Sequence, residues 1–277
     1  MSLLYFPVFQ TLLIGHLGIT LGLLPLCAGY FGVVRGKPFW GGLAWSLLLL
    51  KPQFIPTVLL IIGALTLRGR LRCLLGCSSG VVLLAALTAY LSPGLGSKWI
   101  SAMKLDDALF SDSQYWYPVH LVSSLPAVGL HLLPHHVRHA VKLLGYGFAA
   151  LIGLHALWRS YQLIRVTAPD TTSNVPLIFL LGIGVLPVVL PHFLFYDLSI
   201  LAVAGIVMSG SDWSREEARR LRWINWLYLL SMNAYLVLFM FISTRLAEPA
   251  LLVGILLFLY TQLLSVAKER GRLAQLA

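Results

Sequence analysis

The stretch Arg68–Leu91, RGRLRCLLGCSSGVVLLAALTAYL, opens with three arginines and then runs from Cys73 to Leu91 without a charge. As a helix that uncharged run is about 28 Å long, close to the ~30 Å hydrocarbon thickness of a bilayer. A basic cluster followed by an uncharged run of this kind is the mark of a membrane helix beginning at an interface. The same pattern repeats outward in both directions. Toward the N-terminus lie apolar runs at about 54–67, 39–50 and 8–33; toward the C-terminus they lie at about 139–157, 175–190, 194–209, 222–242 and 249–266. Runs 39–50 and 54–67 are separated only by Lys51-Pro52-Gln53 and each makes about 20 Å of helix, short for a crossing. The chain therefore predicts seven to nine transmembrane segments, some short or broken.

The whole composition agrees. The chain has 277 residues, 58% hydrophobic and 11% charged, with mean hydropathy +0.85. Soluble domains carry about 25% charged residues, so a water-soluble enzyme, a nucleic-acid-binding domain and a disordered chain are excluded. The expected fold class is all-α, a polytopic integral membrane helical bundle, with residues 1–277 forming a single transmembrane domain. Met1 to Pro7 lacks the basic n-region of a signal peptide, and no cleavage site follows it.

Net charge is +10, but the basic residues fall in short clusters between apolar runs. Arg35/Lys37, Arg68/Arg70/Arg72, Arg159/Arg165, Arg215–Arg222 and Lys268/Arg270/Arg272 all fit one cytoplasmic face under the positive-inside bias. Alternation then sends Lys51-Pro52-Gln53, residues 92–137, Pro191–Asp197 and Thr244–Glu248 to the opposite side. The 92–137 stretch reads as an extracytoplasmic loop with interfacial helices. Pro93-Gly94 marks a turn, and Trp99, Tyr115, Trp116 and Tyr117 suit a membrane–water boundary. The Asp212–Arg222 run reads as a solvated, salt-bridged interfacial helix. Cys27, Cys73 and Cys77 make no disulfide framework; Cys73 and Cys77 share a helix face as small buried residues.

Two short motifs concentrate chemistry on the extracytoplasmic side. In Lys51-Pro52-Gln53 the proline interrupts a helix and frees carbonyls beside a lysine and an amide. Lys51 can hold a phosphate as a point charge while Gln53 bonds a sugar hydroxyl; the plainer reading is a kink with a snorkelling lysine. In Pro191-His192-Phe193-Leu194-Phe195-Tyr196-Asp197, His192 and Tyr196 are four apart and share a face of any α-helix, with Asp197 beside them. That group can orient a phosphate leaving group or relay a proton. It also fits an aromatic belt, or an ion pair between Asp197 and Lys51. Gly15-His16 lies inside the first run, where a lone histidine commonly bonds between helices. His131, His135, His136 and His139 lack a neighbouring carboxylate, so no metal site is expected. Asp106 and Asp107 fit a general-base pair, a metal site or plain loop charge. No phosphate-binding loop, dinucleotide fingerprint or hydrolase elbow occurs.

The order Gly15-His16, Arg35-Gly36-Lys37-Pro38-Phe39, Gly41-Gly42-Leu43, Leu50-Lys51-Pro52-Gln53, Leu67-Arg68-Gly69-Arg70 and Pro191–Asp197 resembles glycosyltransferase family 87 of the GT-C superfamily. The similarity covers about residues 8–210. It implies a hexosyltransferase that moves a hexose, mannose foremost, from a polyprenyl-phosphate donor to a lipid or glycan acceptor. The site would open on the extracytoplasmic side of the plasma (inner) membrane. Lys51, Gln53, His192, Tyr196, Asp197 and His16 would line the donor-phosphate site, with no cofactor, metal or nucleic acid involved.

The family usually has Gly-Gln where this chain has Gly15-His16. It also carries its catalytic acid in a first outer loop, whereas no acidic residue here precedes Asp106. The resemblance thus places the base upstream of Met1, making this the C-terminal part of the fold, with Asp106 and Asp107 as the fallback; the remaining option is an inactive form. The rival functions are a transporter or lipid flippase, in which Lys51 and Asp197 couple, and a non-catalytic membrane scaffold.

Overall fold

A computed structural model describes residues 19–51, 54–67, 71–98, 100–102, 137–166, 174–189, 195–241 and 247–276. Among these residues every regular element is a helix. The α-helices are α1 (Leu24–Val34), α2 (Pro38–Ser46), α3 (Ile55–Leu67), α4 (Leu71–Leu91), α5 (Arg138–Val166), α6 (Val175–Gly184), α7 (Leu186–Val189), α8 (Leu201–Gly210), α9 (Arg215–Phe241) and α10 (Ala247–Leu276). A π-turn at Ile19–Leu23 and 3₁₀-turns at Leu47–Leu50 and Phe195–Ile200 abut them.

Each apolar run in the sequence becomes a helix where it is described, the 249–266 run continuing to Leu276 in α10, and two further changes of boundary bear on the fold. The 139–157 run continues to Val166 in α5, and the Asp212–Arg222 run opens α9 instead of forming a separate interfacial helix. The second change has a local cause. Ser214 and Glu217 cap each other: the Ser214 N–H donates to the Glu217 carboxylate at 2.9 Å and the Glu217 N–H to the Ser214 hydroxyl at 3.3 Å. This capping box starts the helix at Arg215, and nothing between there and the apolar run stops it. By length and composition two helical stretches, Leu71–Leu91 and Leu251–Arg272, are long and apolar enough to cross a membrane; five shorter apolar helices accompany them.

The tightest packing joins α2 to α4. Any Cβ on Gly42 would collide with the Cys73 carbonyl, and one on Gly76 with the Phe39 carbonyl. Small residues at four-residue spacing let backbones approach this closely. Cys73, Gly76, Cys77 and Gly80 are the buried face of α4, so the two cysteines are small packing residues. Trp45 fills the space beside α1, its indole N–H donating to the Leu26 carbonyl at 3.3 Å. Its ring stacks 6.2 Å from Phe179, which in turn lies 4.8 Å from Tyr30. Helix α6 is buried along its whole length and forms the centre of the bundle.

The helix directions define two ends. Tyr30 bonds Ser211 at 2.8 Å, so Arg35 at the end of α1 lies beside the start of α9. Phe39 and Gly42 meet Gly76 and Cys73, which puts Lys37 and Arg72 together. Arg220 and Arg270 bridge to Glu269 and Glu217 at 2.7 and 2.9 Å, joining α9 to the last turns of α10. The Asn174 amide donates to the Leu163 carbonyl at 3.0 Å, fixing the end of α5 against the start of α6. All five basic clusters thus contribute described residues to one end, the basic end.

Candidate functional site at the recessed end

The opposite end is where the irregular turns gather. The backbone of the Ile19–Leu23 π-turn packs against both the Leu47–Leu50 and the Phe195–Ile200 3₁₀-turns. π- and 3₁₀-interruptions in apolar helices recur at functional positions. Irregular backbone at membrane depth is tolerated where protein or a water-filled cavity covers it. Lys51, which follows one of these 3₁₀-turns, and Tyr196 and Asp197, which lie on the other, are thus on segments that both pack on the Ile19–Leu23 turn.

The helices that adjoin these turns are short. Thr20–Val34, Pro38–Leu50, Ile55–Thr66, Val175–Val189 and Leu198–Gly210 all run from the basic end. At 1.5 Å per residue they reach about 18–22 Å, short of the ~30 Å slab. Helices α9 and α10 reach about 40–45 Å by the same rule. Among the described residues the three turns thus adjoin short apolar helices, beside the longer α9 and α10.

Lys51 directly follows the second of these turns. Helix α2 and its 3₁₀ extension end at Leu50, and Lys51 is extended, with φ −119° and ψ 98°. A residue before proline is sterically driven out of the α region, so Pro52 sets this break. The turn closes when the Phe54 N–H donates to the Lys51 carbonyl at 2.9 Å. The Lys51 side chain is 9% exposed, and its Nζ stands over the Phe54 ring, 5.1 Å from the centroid. Phe54 is itself buried and lies on Gly22, where an added Cβ would come within 2.8 Å of the ring. Gly22, Phe54 and Lys51 therefore make one stack from the π-turn to the lysine. Below it, the Thr57 hydroxyl donates to the Gly182 carbonyl at 2.8 Å and anchors α3 to α6.

Tyr196 and Asp197 lie on the Phe195–Ile200 3₁₀-turn. With three residues per turn there, the four-residue register expected from an α-helix does not continue through them. Gln53, His192, His16, Asp106 and Asp107 lie outside the described residues, as does most of 92–137. Where 92–137 is described it begins as expected. Gly94 turns with φ +84°, and residues 95–98 and 100–102 are helical, with Leu95 and Ile100 exposed. Among the described residues no group of three or more His, Cys, Asp or Glu could hold a metal ion.

Sequence reasoning missed Gly22 and Phe54 because both sit in unbroken apolar runs. The only available signal was the aromatic three residues after a lysine. A comparison with protein-family models, curated proteins and solved structures returns no match.

Proposed function

We propose that this chain is a multi-pass membrane transferase that binds a lipid-linked phosphate donor at the recessed end, with Lys51 on the donor phosphate and a hexose as the transferred group. The basic end would face the cytoplasm and the recess the outer side. The observation that carries the reading is a lysine nine-tenths buried, just after a turn that packs on the Ile19–Leu23 turn. An ionisable group in such a place is expensive and is a functional candidate by default.

The chemistry gives Lys51 a definite task. An acceptor hydroxyl attacks the anomeric carbon, and the bond from that carbon to the phosphate oxygen breaks. The hydroxyl proton passes to a base, for which Asp106, Asp107 and an acidic residue preceding this chain are the candidates. The polyprenyl phosphate departs, turning from a singly charged diester into a monoester with an additional negative charge. A fixed cation beside that phosphate attracts the transition state more strongly than the bound donor, so it speeds the chemical step. Gln53, His192, Tyr196, Asp197 and His16 would complete the donor site.

Between Lys51 and the basic end the described centre is filled by Leu26, Trp45, Phe179, Leu180 and Val33, all buried. The buried Thr57 hydroxyl there is committed to the Gly182 carbonyl.

The test is transfer from a radiolabelled polyprenyl-phosphate hexose in membranes containing the chain, with Lys51→Ala and His192→Ala assayed in parallel. Transfer by the wild type that is lost in both variants at equal protein level supports the reading. Transfer that survives Lys51→Ala removes the lysine from the donor site.

A further inference from the structure

The basic end carries a separate feature that the proposed transfer does not use. A cleft of about 980 Å³ opens between the last turns of α5 and the last turns of α10. Four cations line it: Arg159 and Arg165 from α5, Lys268 and Arg272 from α10. The single carboxylate in the lining, Glu269, is already bonded to Arg220 at 2.7 Å. Among the described residues none of the four cations is in an ion pair; Arg159 instead donates to the side chains of Gln162 at 2.9 Å and His155 at 3.3 Å. Among the described residues the cleft is therefore a concentration of positive charge with no acidic partner of its own.

Its surroundings identify the kind of partner. Leu151, Leu154 and Trp158 stand exposed along α5 toward the middle of the bundle, and the apolar stretch Leu251–Arg272 ends at the cleft. Apolar surface leading into a basic pocket with an aromatic at the boundary is the arrangement that accepts acyl chains and a charged headgroup together. Gln162 and Ser265 also line the pocket and supply hydrogen-bonding groups for phosphate and glycerol oxygens.

We propose that this cleft seats the phosphate headgroup of an anionic phospholipid from the leaflet at the basic end. The proposal rests on the membrane-embedded reading of the chain but not on its transferase activity. Bound lipid there would clamp α5 to α10, the two helices that the Arg220–Glu269 and Arg270–Glu217 bridges leave unjoined by ion pairs.

The test titrates phosphatidylglycerol and phosphatidylcholine into the detergent-purified chain and reads the thermal shift. Phosphatidylglycerol is expected to stabilise the protein well beyond phosphatidylcholine. Each Lys or Arg near an anionic lipid surface is worth about 1 kcal/mol, an affinity factor of about five. Arg165→Gln/Arg272→Gln should therefore bind phosphatidylglycerol about 25-fold more weakly, and Arg165→Lys/Arg272→Lys should restore most of the loss. Arg35→Gln/Lys37→Gln removes equal charge from the same end outside the cleft and should leave binding unchanged. An equal loss in that control reduces the effect to general surface charge and overturns the site. Equal stabilisation by glycerol 3-phosphate alone overturns the lipid as its source. No preference for phosphatidylglycerol overturns the proposal outright. Carbonate extraction is run alongside: a chain released to the supernatant fails the membrane reading itself, which is distinguishable from failure of the cleft.

Discussion

The ammonium of Lys51 stands 5.1 Å from the centroid of the Phe54 ring, and it does so because the ring is held from below by Gly22. A cation over an aromatic face gains about 0.5–2 kcal/mol, more as it is desolvated. The position of the lysine is thus set by a glycine in another segment. In Gly22→Ala the added Cβ would lie 2.8 Å from the ring, so Phe54 must tilt and Lys51 with it. Overpacking of this kind costs about 1–3 kcal/mol. A lowered melting temperature is expected, and Phe54→Leu should relieve it in the double variant. Additive losses in the double-mutant cycle would show that the glycine and the ring are not coupled.

The α2–α4 contact makes a sharper prediction. At Gly42 and Gly76 the obstacles to a Cβ are carbonyls of the facing helix, and backbone cannot rotate away as a side chain can. Gly42→Val or Gly76→Val should abolish accumulation of folded protein. Gly147→Ala in α5, where nothing lies within 4 Å of an added Cβ, should be neutral or slightly stabilising through its effect on the unfolded chain. Detergent-solubilised monodisperse yield reads both outcomes.

These two cases also show where the sequence is legible and where it is not. Uncharged runs bounded by basic clusters point to helices because a bilayer leaves the backbone few alternatives. Arg35, Lys37 and Arg72 come together at one end, as the spacing of the basic clusters in the sequence predicts. The π-turn at Ile19–Leu23 and the 3₁₀-turn at Leu47–Leu50 carry no such mark. Their sequences, ITLGL and LLLL, are as compatible with an α-helix, and packing across segments selects the hydrogen-bond register. Of the site itself, Lys51 is visible because a charge inside an apolar run is conspicuous, and Pro52 explains its extended backbone. Phe54 and Gly22 become meaningful only when the fold brings residues 22 and 54 together. The Arg220–Glu269 bridge is likewise hidden, since i,i+4 spacing reports partners on one helix and not those 49 residues away.

The start of α9 should respond to pH through Glu216. Its carboxyl is hydrogen-bonded first by Arg219 and then by Arg220, which holds it below the ordinary glutamate value of 4.5. A carboxylate depressed in the folded state adds stability that is present above its unfolded value and is lost as pH falls toward the folded one. Acid unfolding of the wild type should therefore steepen below about pH 4.5. Glu216→Gln should flatten that part of the profile, and high salt should do the same because the group is exposed. An unchanged acid limb in the variant would assign the pH dependence to other carboxylates.

Loss of the capping box tests why the charged run joins α9. Ser214→Ala removes the hydroxyl that accepts from the Glu217 N–H, at an expected cost of about 0.5–2 kcal/mol. Faster amide exchange should appear over the first turn of α9 and extend to the α10 turns held by Arg270–Glu217. Protection that drops only at Ser214 itself would mean the cross-helix bridges, and not the cap, hold this end.

Lys51→Met separates a catalytic lysine from a structural one. A charge buried among apolar groups is costly to desolvate, and a cation over a ring recovers about 2 kcal/mol of that. Methionine has a similar length, has no charge to desolvate and still packs favourably on an aromatic. If Lys51 is kept for a phosphate, the variant should melt at or above the wild-type temperature while losing transfer. If Lys51 is instead half of a buried structural ion pair, removing it strands the partner charge and destabilises by about 3–5 kcal/mol. Melting temperature and transfer then fall together, and the donor-phosphate role of Lys51 is overturned.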